Sequence, residues 1–351
     1  MKRGFFQTKH ERLHYLKAGK ARFAIMLASA FCSSVLLAFS ATVSTAQTLS
    51  TGSEQAYPAR PVRMIVANGP GSAPDVIARL LGAKLAESWN QPVIIDNRPG
   101  ATGLIAVELL AKSTPDGHTM FLSTMTQLIS TLMYQRYMLS SEVAPVTLVG
   151  TTPFAIVVSA SLPVKSIAEW IAYAKARPEQ LLFGSGGQWG SSHLCIEKLN
   201  AMAGLKLTHV PYANTATTLA DLIGGNIHIY CPAVPSLPAF AASGRVRPLG
   251  VTYQKPTRLA PGLPPVSDTL PGFELLGWYG MNVALRTPPE IISRINAELV
   301  KALKNPELQE RMFTVGAEAV GSTPAEFSAF LKKDTDHWTR VLRDSGARLG
   351  K

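Results

Sequence analysis

Three features of the sequence predict an α/β fold in two lobes. Short apolar runs alternate with segments whose apolar residues recur every three to four positions, which reads as strand, helix, strand, helix. The alternation occurs twice, over 61–122 and again over 154–252. Each block also carries a glycine-bearing loop between a strand and a helix. At 351 residues the chain is too long for one ordinary core and suits two. With 46% hydrophobic and 16% charged residues it has the composition of a globular chain rather than a disordered one.

The first block opens with Pro61 to Ala67, a buried strand, followed by the loop Asn68 to Ala73. Pro74 suits the first turn of a helix, which continues with Val76, Ile77, Leu80, Leu81 and Leu85 on one face. Pro92 to Asp96 is a second strand, 97–103 a second loop and 104–112 a helix. The turn Pro115-Asp116-Gly117 precedes a third strand at Thr119 to Leu122. In the second block, Phe154 to Val158 is a strand and Ser166 caps a helix to about Arg177. The short strand 181–183 leads into the glycine-rich run 184–192, and a helix follows over 193–202. Strands at 207–210, 227–230 and 247–252 complete the block, with a helix at 217–223 ended by Gly224-Gly225. A Pro-rich connection, 261–271, leads to an extended segment over 274–284. Helices are then expected over 288–303, 305–313 and 324–345, returning to the first lobe. No internal repeat or low-complexity tract is visible.

The first 46 residues have three parts: basic to Arg22, apolar from Phe23 to Phe39, and Ser44-Thr45-Ala46 with small residues at −3 and −1 of a cut after Ala46. That is a secretory signal peptide with a long basic portion. An uncleaved anchor is the competing reading, but the apolar run stands at the bottom of the spanning range of ~17–25 residues. Phe31 is too bulky for the position before a lipoprotein cysteine at Cys32. The expected mature chain retains Cys195 and Cys231, which an oxidising compartment permits to pair. The sequence does not place them within bridging distance, and their apolar surroundings favour two buried thiols.

The formal charge of +11 is concentrated in the leader. Residues 47–351 hold 27 basic and 22 acidic residues, a balance of +5 that suits an anionic ligand. With no dense basic run interleaved with aromatics, nucleic-acid binding is excluded.

The two glycine loops carry the chemistry. At a strand-to-helix junction the first backbone N–H groups of the helix lack internal partners and point out of the carboxyl edge of the sheet, with the positive end of the helix dipole behind them. Glycine lets backbone approach a ligand closely. In the first loop the candidates are Asn68, Gly69, Gly71, Ser72, Ala73 and Asp75; in the second, Gly184, Ser185, Gly186, Gln188, Trp189, Ser191, Ser192 and His193. Thr124, after the third strand, and Tyr212 complete the candidate ligand-binding set. Were the loops to face each other, each charge-assisted bond to an anion would contribute roughly 1.5–3 kcal/mol. Three or four, less ordering costs, reach the ~8 kcal/mol of micromolar binding without a cationic side chain. The bland alternative is a pair of tight turns with ordinary helix caps.

Catalytic patterns are weak. Gly69-Pro70-Gly71 lacks the third glycine of a dinucleotide fingerprint, a phosphate-loop Gly-Lys-Ser/Thr is absent, and Phe183 stands where a nucleophile elbow at Ser185 needs glycine. The histidines show no metal-ligand spacing. His193 is the best lone catalytic candidate, against the simpler reading of a satisfied helix-start histidine.

These residues resemble the extracytoplasmic receptors of tripartite tricarboxylate transporters, the group called Bug proteins in Bordetella-type bacteria. The matching pieces include 57–63, 69–75, 92–103, 115–117, 144–149, 184–187 with 193–194, 209–212, 224–225, 278–280, 316–318 and 323–327, in order across essentially all of 57–346. The resemblance implies a type 2 two-lobed periplasmic binding protein fold with crossover strands near 150–156 and 274–284. It implies one ligand in the interlobe cleft, its carboxylate held by backbone and ordered water from the two loops. Amino acids, di- and tricarboxylates and aromatic acids are typical. It also implies a membrane permease as partner. The chain departs from the family pattern at Asn68-Gly69-Pro70-Gly71-Ser72, at Gln188-Trp189 and at Pro232. Trp189 adds a flat apolar face, favouring an aromatic or bulky acid unless it packs on the lobe surface.

The expectation is therefore a monomeric periplasmic solute receptor, not an enzyme, with no cofactor or metal. The signal peptide covers 1–46, lobe 1 covers 47–153 plus 278–351, and lobe 2 covers 154–277. A ligand-binding protein feeding a membrane sensor is the runner-up, and an enzyme on a small organic acid is third.

Overall fold

The strand that opens the first block shows how the core is laid down. In a computed structural model, β1 (Val62–Val66) places Val62, Met64 and Val66 in one apolar cluster and Ile65 in another, the period-two alternation of a sheet covered on both faces. The structure describes residues 57–139, 141–212, 215–238 and 244–344. The expected signal peptide, Cys32 and the last residue of the expected C-terminal helix lie outside these residues.

From β1 the chain runs through α1 (Ala73–Trp89), β2 (Val93–Asn97), α2 (Leu104–Ala111), β3 (Thr119–Thr124), α3 (Met125–Tyr134) and β4 (Val143–Pro153). It continues through β5 (Ala155–Ser159), α4 (Ile167–Lys175), β6 (Leu182–Ser185), α5 (Ser191–Ala203), β7 (Thr208–Pro211), α6 (Thr215–Gly224), β8 (Ile229–Tyr230) and β9 (Val246–Val251). The last elements are β10 (Leu276–Ala284), α7 (Pro289–Leu303), α8 (Pro306–Thr314), β11 (Glu318–Ala319) and α9 (Pro324–Asp344). No helix among the described residues is long and apolar enough to cross a membrane.

The strands form two sheets, ordered β11-β4-β10-β3-β1-β2 and β7-β6-β8-β5-β9. Strands β3, β1 and β2 run parallel, as do β7, β6 and β8. Their remaining partners pair antiparallel: β10 and β4 in the first sheet, β5 and β9 in the second. The chain passes from the first sheet to the second at Phe154 and returns after β9 into β10. This is a two-lobed α/β fold with two crossover strands.

One apolar cluster spans both sheets, joining Ile65 and Phe121 to Ile156, Val158 and Phe183, with Leu194 and Leu199 of α5 and Phe327 and Trp338 of α9. The outer face of the first sheet packs against α1 and α7, where Ile77, Leu81, Ile295 and Leu299 are buried. The outer face of the second packs against α6 through Leu222. At the crossing, Thr252 stitches the two passing segments. Its hydroxyl donates to the Leu275 carbonyl oxygen (2.6 Å) and accepts the Phe154 N–H (2.9 Å).

Two sequence expectations change. Cys195 and Cys231 are not free thiols: they form a disulfide, with Cα atoms 6.3 Å apart, that ties α5 to the end of β8. Both are fully buried, so the apolar setting that suggested inert thiols is the setting of the bridge. The helix α3 was not expected, because its sequence mixes polar residues with apolar ones; Gln127, Ser130 and Thr131 are nonetheless buried in it.

Candidate functional site

Each sheet has a point where the chain's progress across the sheet reverses. From β1 the chain moves to β2 on one side, then to β3 on the other; from β6 it moves to β7, then to β8 on the other side. Strands β1 and β6 are thus the middle members of parallel triplets, and each is followed directly by its glycine loop. Ligands of open α/β sheets sit outside the carboxyl ends of the strands at such reversals. The two loops therefore hold equivalent positions in the two sheets. Thr124, at the carboxyl end of β3, lies across the first reversal from loop one.

The first loop is braced from within. Asp75 is 2% exposed. Its carboxylate accepts the Gly71 N–H (2.9 Å), the Asn97 amide (2.9 Å) and the Arg79 guanidinium (3.0 Å). Burial alone would raise its pKa, but these hydrogen bonds from Arg79, Gly71 and Asn97 outweigh burial and hold it below the usual carboxylate range. Asn97 also donates to the Asn68 carbonyl oxygen (2.9 Å). Ser72 is the N-cap residue of α1, yet its hydroxyl donates to the Gly69 carbonyl oxygen (2.7 Å), so α1 has no side-chain cap. The first amide bonded inside α1 is that of Val76, to Ser72; the Ala73 and Asp75 N–H groups precede it. A Cβ at Gly69 or Gly71 would meet no atom within 4 Å, and Gly71 has φ +80, which favours glycine. The buried side-chain oxygen of Asn68 has no hydrogen-bond partner among the described residues.

The second loop is braced by rings. His209 is stacked on His193 with centroids 3.8 Å apart and planes 12° apart, and Phe183 packs against both rings, with centroids 4.9 Å from His209 and 5.7 Å from His193. Trp189 lies 5.0 Å from His193 and so packs against the loop's own support. Its backbone has φ 62, an uncommon value for a non-glycine residue, held where its N–H donates to Nδ1 of His193 (2.9 Å). Because Nδ1 of His193 accepts, the neutral ring carries its proton on Nε2, 3.4 Å from the Glu197 carboxylate. Ser185 donates to the Gly187 carbonyl oxygen (2.9 Å), which assigns the 2.6 Å bond with Nε2 of His209 to a histidine donor. Burial, with the neighbouring His193 second, pushes His209 down to about 4. Ser192 accepts the Gly186 N–H (3.1 Å). Gly190, the N-cap residue of α5, has no side chain to cap the helix, and the first amide bonded inside α5 is that of Leu194. The Ser191, Ser192 and His193 N–H groups precede it. A Cβ at Gly186 or Gly187 would meet nothing within 4 Å, whereas one at Gly184 would strike Ile227 and Thr218.

The two loops thus share a design. Their polar side chains (Asp75, Ser72, Ser185, Ser192, His193) face inward on the loop, leaving uncapped helix N-termini and glycine surfaces open. Thr124 is engaged in the same way, its hydroxyl and N–H joined to Gln127 in a capping box on α3. Tyr212 donates through its N–H to Ser185 but sends its hydroxyl to Asp221 (2.6 Å); burial first, then Asp221, pushes it up to about 12. Gln188 is exposed on the second loop. No hydrogen bond, ion pair or ring contact joins 68–75 to 184–193 among the described residues. No group of three His, Cys, Asp or Glu residues is placed to hold a metal among them either. Sequence reasoning missed Asn97 and His209, which lie on neighbouring parallel strands. Their sequence signal is a polar side chain on a short strand, at the carboxyl end for Asn97 and at the second position for His209.

A family model described as the tripartite tricarboxylate transporter family receptor matches residues 77–347. A protein encoded in the tcbD-tcbE intergenic region of Pseudomonas sp. (strain P51) is 33% identical over 291 residues, 82% of this chain and 87% of that protein. Among solved structures, an R. palustris protein with adipate is 30% identical with a TM-score of 0.71, covering 83% of this chain and 98% of that one. The periplasmic binding protein BugD is 28% identical with a TM-score of 0.68, over 83% and 99%.

Proposed function

The chain belongs to the tripartite tricarboxylate transporter receptor family, and from that premise we propose that it is a periplasmic receptor capturing a small organic acid between its two glycine loops. The family consists of substrate-binding receptors, and the chain has a carboxylate-binding relative in the R. palustris protein solved with adipate. One observation carries the reading: the two loops occupy equivalent reversals of two parallel triplets, each ending on an uncapped helix N-terminus with glycines open to solvent.

The carboxylate lies against the amides that open α1 and α5, in the field of both helix dipoles. Arg79 is already paired with Asp75, so backbone rather than a cation neutralises the ligand. The unpartnered Asn68 oxygen accepts a donor from the ligand or from a bridging water. Lobe 1 comprises 47–153 with 278–351 and lobe 2 comprises 154–277; the crossing segments at Phe154 and Thr252 act as the hinge. Residues 1–46 direct export, and a membrane permease of the tripartite type takes over the ligand. His193 serves as a loop brace rather than a catalyst, since its ring is committed to Trp189, Glu197 and His209.

The reading is tested by titrating the mature protein calorimetrically with mono-, di- and tricarboxylates, adipate included, beside their uncharged amides. One-to-one binding of an acid, with no heat from its amide and no product formed, is expected. A panel that gives no heat with any acid overturns it.

A further inference from the structure

A cavity of about 450 Å³ lies away from both glycine loops, between α5, α9 and the segment that leads into β10. That volume is in the ~300–1,000 Å³ range of small-molecule sites. Its lining combines a cationic group with an apolar wall. Lys198 of α5 donates to the Glu274 carbonyl oxygen (2.6 Å) and lies 3.4 Å from Nε2 of His337. No carboxylate of the described residues is within ion-pair distance of it. Burial disfavours the ammonium form of Lys198, and the charges of Glu274 and Asp334 act on it only from beyond contact distance. Lys333 and Arg340 of α9 line the same cavity and make no ion pair among the described residues. Burial first, and then the charges of Lys198, Arg340 and Lys333, hold His337 down to about 4, so the three cations share one neighbourhood.

Two acids of the lining, Glu274 and Asp334, offset the three cations only in part. The Asp334 carboxylate accepts the Trp278 indole N–H (2.8 Å), and burial raises its pKa to about 6. Glu274 accepts the Lys198 hydrogen bond at its backbone carbonyl, while its carboxylate charge acts on Lys198 from farther away. The apolar wall comprises Met202, 38% exposed, with Phe330 and Trp338.

We propose that this cavity is a second ligand site, for a small amphipathic organic anion whose acidic group lies among Lys198, Lys333 and Arg340 and whose apolar body rests on Met202, Phe330 and Trp338. The site is independent of the cleft, because it shares no residue with 68–75 or 184–193. Lys333 and Arg340 are both exposed, so the acid can be admitted from solvent.

The test labels the protein with 5-fluorotryptophan and follows Trp338 by fluorine NMR, with Trp338→Phe assigning its signal and Trp189 reporting on the second loop. Benzoate is the probe, and benzamide is its uncharged twin. The expected result is a saturable shift of Trp338 with benzoate and none with benzamide. The variant K333E/R340E should weaken that response about tenfold or more, as loss of charge-assisted bonds implies, and leave any response of Trp189 unchanged. A Trp338 signal that does not saturate with benzoate, titrates equally with benzamide, or is indifferent to K333E/R340E overturns the proposal. Should Trp338→Phe fail to fold, crystals soaked in 4-bromobenzoate decide. Anomalous density in the cavity supports the site, and its absence there overturns it.

Discussion

His209 illustrates how a single residue couples the loop to pH. Its ring is stacked on His193, packed against Phe183 and bonded to Ser185, and burial first, then His193, holds it at about 4, below the ordinary value of 6.5. A histidine depressed in the folded state takes up its proton more readily in the unfolded chain. The stability it confers is complete above about 6.5 and is lost as pH falls through 4. His337 acts in the same direction, while Asp334, raised to about 6, acts oppositely between 3.8 and 6. Urea unfolding of His209→Phe, which keeps a ring in the stack, should show a shallower loss of stability from pH 6.5 to 4 than the parent. An unchanged slope would show that His209 does not carry the effect. Sequence reasoning did not reach this residue, since nothing in Thr208-His209-Val210-Pro211 reveals that the ring meets a helix-start histidine 16 positions earlier. It named Asp75 and Ser185 as candidate ligand contacts. Their hydrogen bonds run into the loop, and that direction depends on Asn97 and His209, contributed by other strands.

At the scale of elements, most strands and helices of the parallel blocks were legible, because period-two and three-to-four-residue apolar spacing survive in any context. The crossing strands near 150–156 and 274–284 came from the family resemblance rather than from spacing, for their antiparallel pairing and the stitch at Thr252 are set by tertiary contact. Thr252→Val keeps the shape but leaves the Phe154 N–H without its acceptor and removes the bond to Leu275. It should lower the unfolding free energy by about 1–3 kcal/mol in a urea titration. A cost near zero would mean that the crossing is held by packing alone. Helix α3 was illegible because three buried polar residues blur its apolar face. Gln127 finds its role only through the capping box with Thr124. The bridge from Cys195 to Cys231 closes a 36-residue separation and stabilises the lobe by roughly 2–4 kcal/mol, while fixing α5 behind its loop.

For the whole molecule, two sheets with matching reversals present two glycine loops built on one plan. Resemblance across 57–346 anticipated this architecture, and the sheet orders supply its physical reason. In each triplet the middle strand leads into the open loop, where a ligand meets the fewest side chains. The central claim is that both loops bind the same carboxylate, and glycine surfaces allow it to be tested without unfolding the protein. A side chain at Gly69 or Gly186 enters space free of protein atoms within 4 Å, and neither has a φ in the left-handed range. Gly69→Leu and Gly186→Leu should each leave the melting temperature within about a degree or two, as a surface change of ±0.5 kcal/mol implies. Calorimetric titration of these two variants and their double mutant with the acid bound most tightly is the decisive measurement. The account predicts that each substitution alone abolishes most of the affinity and that the double mutant loses little more. Wild-type affinity in either folded variant would contradict it.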